Sequence, residues 1–211
     1  MIVIVNPNST ASMTEEMVKT GRAVCPGEEI EGWTSYDGPA AIQGPEDGET
    51  CIPPLLKLIK NASNNGASRI IIGCFDDTGL DEARDIAKCP VIGIGQAAYY
   101  LAAMTGAKFS VVTTLAASIP VLEGNIKAYG LGQRLGRVRA SGVPVLQLER
   151  ERKASIRRIL DEALISVTED KVQNIVLGCA GMSPVVQAAG AGFPVRLIDG
   201  VEAAVQIATI L

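Results

Sequence analysis

Arg69-Ile70-Ile71-Ile72-Gly73-Cys74 and Asn174-Ile175-Val176-Leu177-Gly178-Cys179 are one phrase written twice, half a chain length apart in a sequence of 211 residues. Each is a short run of branched apolar residues, as in a strand buried on both faces, and each closes on a Gly-Cys dipeptide. The match extends outward. Pro90-Val91-Ile92 follows the first cysteine much as Pro194-Val195-Arg196 follows the second, and a Gly/Ala-rich helical stretch succeeds each. Upstream, Ile2-Val3-Ile4-Val5 opens one half and Phe109-Ser110-Val111-Val112 the other. These correspondences read as an internal duplication. If a twofold axis relates the halves, one thiol approaches a shared cleft from each side, an arrangement suited to removing a proton from one face of a carbon and returning it to the other.

Between these landmarks, short β-branched runs alternate with amphipathic helical stretches, the pattern of an α/β fold. Strands are predicted near 2–5, 29–35, 69–73 and 91–94, then near 109–113, 136–140, 173–177 and 194–198. Helices are predicted near 12–24, 49–63, 80–87 and 96–104, then near 117–129, 150–167, 184–189 and 200–210. Ser12 through Glu15 has capping-box spacing, and Gly66 supplies a stop for the second helix. The expected architecture is two pseudo-symmetric lobes, each a mainly parallel four-stranded sheet flanked by helices, with the active site between them. Residues 1–100 form the first lobe and 101–199 the second, hinged near Leu101–Lys108, with helix 200–211 packing back onto the first. The turn-rich stretch Tyr36–Pro45 stands outside the alternation and is either a connector or a specificity loop.

Composition narrows the chemistry. A hydrophobic content of 47% with 20% charged residues describes an ordinary globule, and a net charge of −4 with scattered Lys and Arg disfavours nucleic acid as a partner. The apolar runs are strand-length, too short to span a bilayer. The start, Met1-Ile2-Val3-Ile4-Val5, lacks the basic residues of a signal peptide, so a cytoplasmic location is expected. Five cysteines, an odd number, argue against a disulfide framework. Without His or a Cys-x-x-Cys pair, no metal site is expected. The missing His also excludes Ser-His-Asp and Cys-His hydrolases and leaves Cys, Asp, Glu, Lys or Tyr for acid–base work.

Cysteine is commonly buried, so Cys25, Cys51 and Cys89 read as small core hydrophobes. Cys74 and Cys179 differ because both sit at carboxyl ends of predicted strands, where open α/β sheets bind ligands. Each also precedes a predicted helix. Ser183 is fit to cap one, with Pro184 at its first position, and Asp77 or Thr78 could cap the other. Helix N-termini stabilise negative charge, lowering a thiol pKa and holding a developing oxyanion. Asp76 and Asp77 would oppose this at Cys74, which makes Cys179 the more readily ionised thiol if those acids face it. Asn6-Pro7-Asn8-Ser9-Thr10 is an Asx turn by one reading. By another, Asn8 and Ser9 hydrogen-bond a substrate, as Thr113 and Thr114 could from the second half. Gly93-Ile94-Gly95-Gln96-Ala97-Ala98 has the outline of a dinucleotide fingerprint but lacks the acidic residue at the next strand end, so its glycines read as close packing.

Together, Asn6–Thr10, Gly38–Pro45, Gly73–Leu80, Ser110–Thr114 and Leu177–Met182 resemble the hydantoin racemase branch of the aspartate/glutamate racemase superfamily, along the whole chain. The resemblance implies a two-lobed, cofactor-free isomerase in which Cys74 and Cys179 act as base and acid on opposite faces of a carbon. It further implies that Asn8, the Ala41–Ile42 loop, the backbone at Phe75, Thr113, Thr114 and Gly178 line the substrate pocket, and Ser9 and Asp77 stand with them as candidate substrate-binding residues. Glutamate racemases tend to carry an Asp-Ser near the start and a His after the second cysteine, and this chain has neither. That departure, with no basic clamp beside the motifs, suits a neutral ring, such as a 5-substituted hydantoin or the ureide allantoin. The expected partners are that small molecule and further copies of the chain, with no membrane. A decarboxylase or cis–trans isomerase on the same scaffold, and a small-ligand-binding protein, remain as alternatives.

Overall fold

The computed structural model describes residues 1–211. The first half runs β1 (Ile2–Asn6), α1 (Ala11–Val24), β2 (Ile30–Thr34), α2 (Pro45–Asn64), β3 (Arg69–Ile72), α3 (Leu80–Ile86), β4 (Val91–Gly93) and α4 (Ile94–Ala103). The second runs β5 (Phe109–Thr113), α5 (Ile119–Ala128), β6 (Leu135–Ala140), α6 (Gln147–Arg150), α7 (Arg152–Glu169), β7 (Asn174–Gly178), α8 (Ser183–Ala189), β8 (Arg196–Asp199) and α9 (Gly200–Ile210). Each half forms a four-stranded sheet, with order β2-β1-β3-β4 in one and β6-β5-β7-β8 in the other. All pairings are parallel. The duplication visible in the sequence is thus a duplication of topology.

Alternation along the buried strands divides the core. Ile2, Ile4 and Ile71 point toward a central cluster that also takes Val111 and Val176 from the second sheet, with the alanine-rich helices α4 and α9 between. Val3, Val5, Ile70 and Ile72 point the other way, onto Leu55 and Ile59 of α2. In the second sheet Val112, Ile175 and Leu177 do the same onto Ile159 and Ala163 of α7. Small side chains on α4 and α9 let these helices pack against each other, and α9 also lies against α1. One core therefore joins both sheets, and residues at the carboxyl ends of β1, β3, β5 and β7 border one cleft.

Several local expectations are corrected. α1 begins at Ala11 behind Thr10, with no side-chain cap, and the Ser12 hydroxyl instead donates to Glu149 of the second half at 2.9 Å. α2 starts at Pro45 rather than 49, because proline at the first helical position loses no needed hydrogen bond. α3 is preceded by Gly79 in the left-handed conformation, so neither Asp77 nor Thr78 caps it. Ser183 is the first residue of α8, not its cap.

Asp77 caps a different helix. Its own φ is +51°, an uncommon value for a residue with a Cβ. From there its carboxylate accepts the N–H groups of Gly95 (3.0 Å) and Gln96 (2.6 Å) at the start of α4. The two glycines of the Gly93–Ala98 stretch make this possible: a Cβ on Gly93 would collide with the Asp77 carboxylate, and one on Gly95 with that carboxylate and the Phe75 carbonyl oxygen. The close-packing reading of the stretch holds, with a loop and its carboxylate as the packed partner. Gly95→Ala is accordingly expected to lower stability by about 2 kcal/mol, the usual cost of overpacking a rigid site. Urea denaturation checks it, and a wild-type midpoint would contradict it.

Candidate active site

Each cysteine leaves its strand by the same local geometry. Gly73 ends β3 by donating to the Val5 carbonyl at 2.8 Å, packed so closely on the Met17 thioether that a Cβ there would displace it. Gly178 ends β7 pressed on Thr113 and Val111. The cysteine that follows begins a turn in both halves: the Cys74 carbonyl accepts the Asp77 N–H at 3.2 Å, and the Cys179 carbonyl accepts the Met182 N–H at 3.0 Å. Within each turn the thiol accepts the N–H two residues on, from Asp76 and from Gly181. The two sulfurs border a single cleft, which has about 450 Å³ of space including its open mouth.

The cleft wall contains Asn8, Ile42, Cys74, Phe75, Thr114, Gly178 and Cys179 from the expected set. Asn8 is held by a reciprocal pair of hydrogen bonds with Asn6, each 3.1 Å, and its side-chain oxygen also accepts the Thr10 N–H. Its Nδ2 has only the Met13 thioether at 3.6 Å as partner, which leaves a good donor for a ligand carbonyl. Thr114 and Ser118 bring hydroxyl groups to the same wall.

Four expected residues lie off the wall. The Ser9 N–H ties the chain to the Pro39 carbonyl at 2.8 Å, behind Asn8. Ala41 is packed on Met13 and Val145, where it helps seal the cleft. The Thr113 hydroxyl turns back to the Gly178 carbonyl at 3.1 Å and steadies that strand end. Asp77 faces away, bound by α4 and by the Tyr129 hydroxyl at 3.0 Å. Conversely, the wall includes Met13, Met17, Ser118 and Val145, which sequence reading did not single out, and Asp76, which it weighed only for its charge on Cys74. The two methionines share one face of α1 with Thr14, at helical spacing that reads simply as core.

Contacts cross the cleft around this wall. Asn125 of α5 donates to the Asp76 carbonyl at 2.7 Å, and Tyr129, just past α5, grips Asp77. The Gln43 side chain accepts the Val145 N–H at 2.9 Å, so the Tyr36–Pro45 segment reaches the second half. The position of Cys74 is set from both sides.

Electrostatically the cleft is apolar and faintly acidic. Burial pushes the Cys179 thiol up to about 12 and Cys74 well above its ordinary value; Asp76 adds to both. The expectation of lowered thiol pKa values is therefore corrected: one backbone N–H apiece does not offset loss of water. Cys74 also feels Cys51 and Asp77. Burial raises Asp76 to about 6 and Asp77 to about 7, the latter despite three donors.

The chain is similar to known proteins along its whole length. The family model described as Asp/Glu/Hydantoin racemase matches residues 2–208. A hydantoin racemase of Rhizobium meliloti is 40% identical, over 100% of this chain and 88% of its own. Among solved structures, an allantoin racemase from Klebsiella pneumoniae is similar with a TM-score of 0.95 at 34% identity, covering 100% of this chain and 86% of the other. One from Pseudomonas fluorescens gives 0.94 at 36%, covering 100% and 89%.

The raised carboxyls carry a sign. Between pH 4 and 7 the native state binds more protons than the unfolded chain, so their contribution to stability falls as pH rises through that window. Removing the Asp76 charge relieves its share. Asp76→Asn is expected to be about 2 kcal/mol more stable than wild type at pH 8, with a shallower decline between pH 4 and 6. Urea titrations across pH measure this; a variant destabilised at pH 8 would contradict the picture of an uncompensated carboxylate.

Proposed function

The chain belongs to the Asp/Glu/Hydantoin racemase family, and we propose that it is a cofactor-independent racemase that inverts C5 of a 5-substituted hydantoin through two opposed thiols, Cys74 and Cys179. The observation that carries this reading is the shared cleft: both strand-end cysteines border it, and no Lys or Arg does. A free amino acid would bring a carboxylate to a wall whose one charged side chain is itself acidic. A neutral ring brings carbonyls and N–H groups, which the wall can pair.

In the proposed reaction the thiolate of one cysteine takes the C5 proton. The C–H electron pair moves into the ring and builds charge on the C4 oxygen, which Asn8 Nδ2, the hydroxyls of Thr114 and Ser118 and nearby backbone N–H groups are suited to hold. The opposite thiol then gives its proton to the other face of C5 and is left as thiolate. One turnover exchanges the protonation states of the two cysteines and inverts the carbon. The adjacent ring nitrogen and carbonyl already acidify C5, so the thiols supply position and basicity. Their burial fits this demand, since a sulfur that ionises reluctantly is a stronger base once ionised.

Allantoin is the second reading, favoured by the likeness to allantoin racemase structures. Polarimetry on a panel of hydantoins, allantoin, aspartate and glutamate decides between them. Activity is expected on cyclic ureides, rising with pH from 7 to 9 because the reacting thiol stays largely protonated there. Replacing either Cys74 or Cys179 by Ala should lower racemisation by about 10³-fold or more, while one enantiomer can still exchange its C5 proton with solvent. Racemisation of glutamate alone, or a fully active Cys74→Ala protein, would overturn the assignment.

A further inference from the structure

Asp76 and Asp77 are neighbours in sequence, both are buried, and they meet opposite fates. Asp77 is saturated by Gly95, Gln96 and Tyr129. The Asp76 backbone is equally fixed, its carbonyl taken by Asn125 and its N–H directed at the Cys74 sulfur. Its carboxylate, however, makes no hydrogen bond to the protein, although the residue is 9% exposed and lies on the cleft wall. A buried carboxylate without donors costs free energy that folding does not return. It is the one charged side chain on that wall, and its charge acts on both thiols, Cys74 and Cys179. The carboxylate therefore shares one wall with both cysteines, with its acceptor sites open.

We propose that Asp76 determines specificity by accepting a hydrogen bond from the ring N–H next to the reacting carbon, so that the site selects neutral ureides carrying N1–H and disfavours anionic or N1-substituted ligands. This deepens the racemase reading above and rests on it. The bond does two things. It replaces the donor that the fold withholds from Asp76, and it orients the ring so that C5 lies between the two thiols rather than turned toward the wall. Asp76 acts on binding and orientation and transfers no proton.

The test uses three substrates and two variants. With wild-type protein, kcat/KM is measured for a 5-substituted hydantoin, its N1-methyl derivative and its N3-methyl derivative. The N1-methyl compound is expected to lose about 10²-fold and the N3-methyl compound less than about tenfold. In Asp76→Ala, which removes the acceptor and opens space, the N1-methyl penalty should shrink to within about threefold, mainly through KM, because the parent loses its advantage. Asp76→Asn keeps the side-chain size and should fold as wild type by circular dichroism, yet show weaker binding of the parent. If a variant turns over too slowly, the same ratios are read as binding by calorimetry in a Cys74→Ser background. An N1-methyl penalty that is the same in wild type and Asp76→Ala, or absent from wild type, overturns the proposal while leaving racemisation intact. A wild-type protein inert toward every hydantoin overturns the racemase reading itself.

Discussion

The hydrogen bonds that Asp77 draws from Gly95, Gln96 and Tyr129 bind three elements to one carboxylate: the loop after β3, the start of α4, and the end of α5 in the other half. The rest of the site depends on that knot. The loop carries Cys74 three residues upstream, and Asn125, one turn before Tyr129, takes the Asp76 carbonyl. Without the knot, the loop that carries the first cysteine would keep the Asn125–Asp76 bond as its hydrogen bond to the second half. The positive φ at Asp77 is the cost of this arrangement, and the absence of side chains at Gly93 and Gly95 makes room for it.

Most of the fold was legible in the sequence, for a physical reason. Strands buried on both faces, such as Ile2–Val5 and Ile70–Ile72, must be continuous apolar runs, and parallel connections require helices between them. Repetition then exposed the cysteines: any one strand-end Cys is unremarkable, whereas two at equivalent positions are not. What stayed illegible depends on direction rather than identity. Asp76 and Asp77 are the same residue type one position apart, and only a left-handed turn at the second sends one carboxylate to α4 and leaves the other at the cleft. Thr113 and Thr114 divide in the same way, because successive side chains at a strand end face opposite sides. Ser9 and Ala41 sit behind the residues that do reach the wall. Sequence placed these groups in the right loops and could not say which way they point.

The site is costly to the fold that carries it. One buried and one half-buried thiol, a carboxylate with no donor in the protein and the Asn8 amide with only a thioether partner are groups that an interior optimised for stability would lack. Such uncompensated polar groups concentrate where a ligand completes them. Their chemistry is consistent: acceptor at Asp76, donor at Asn8, hydroxyls at Thr114 and Ser118, and a thiol from each half. The molecule that the proposed reaction calls for is flat, neutral, rich in alternating carbonyl and N–H groups, and acidic at one carbon.

The central claim is that two different groups serve the two faces of that carbon. Running the reaction in deuterium oxide from a single enantiomer, and stopping at low conversion, reads this directly by mass spectrometry after chiral separation. Two opposed thiols predict that the inverted product carries one deuterium at C5 while the remaining substrate keeps its protium. Product that retains the original proton would mean that a single base carries it from face to face, and would contradict the account.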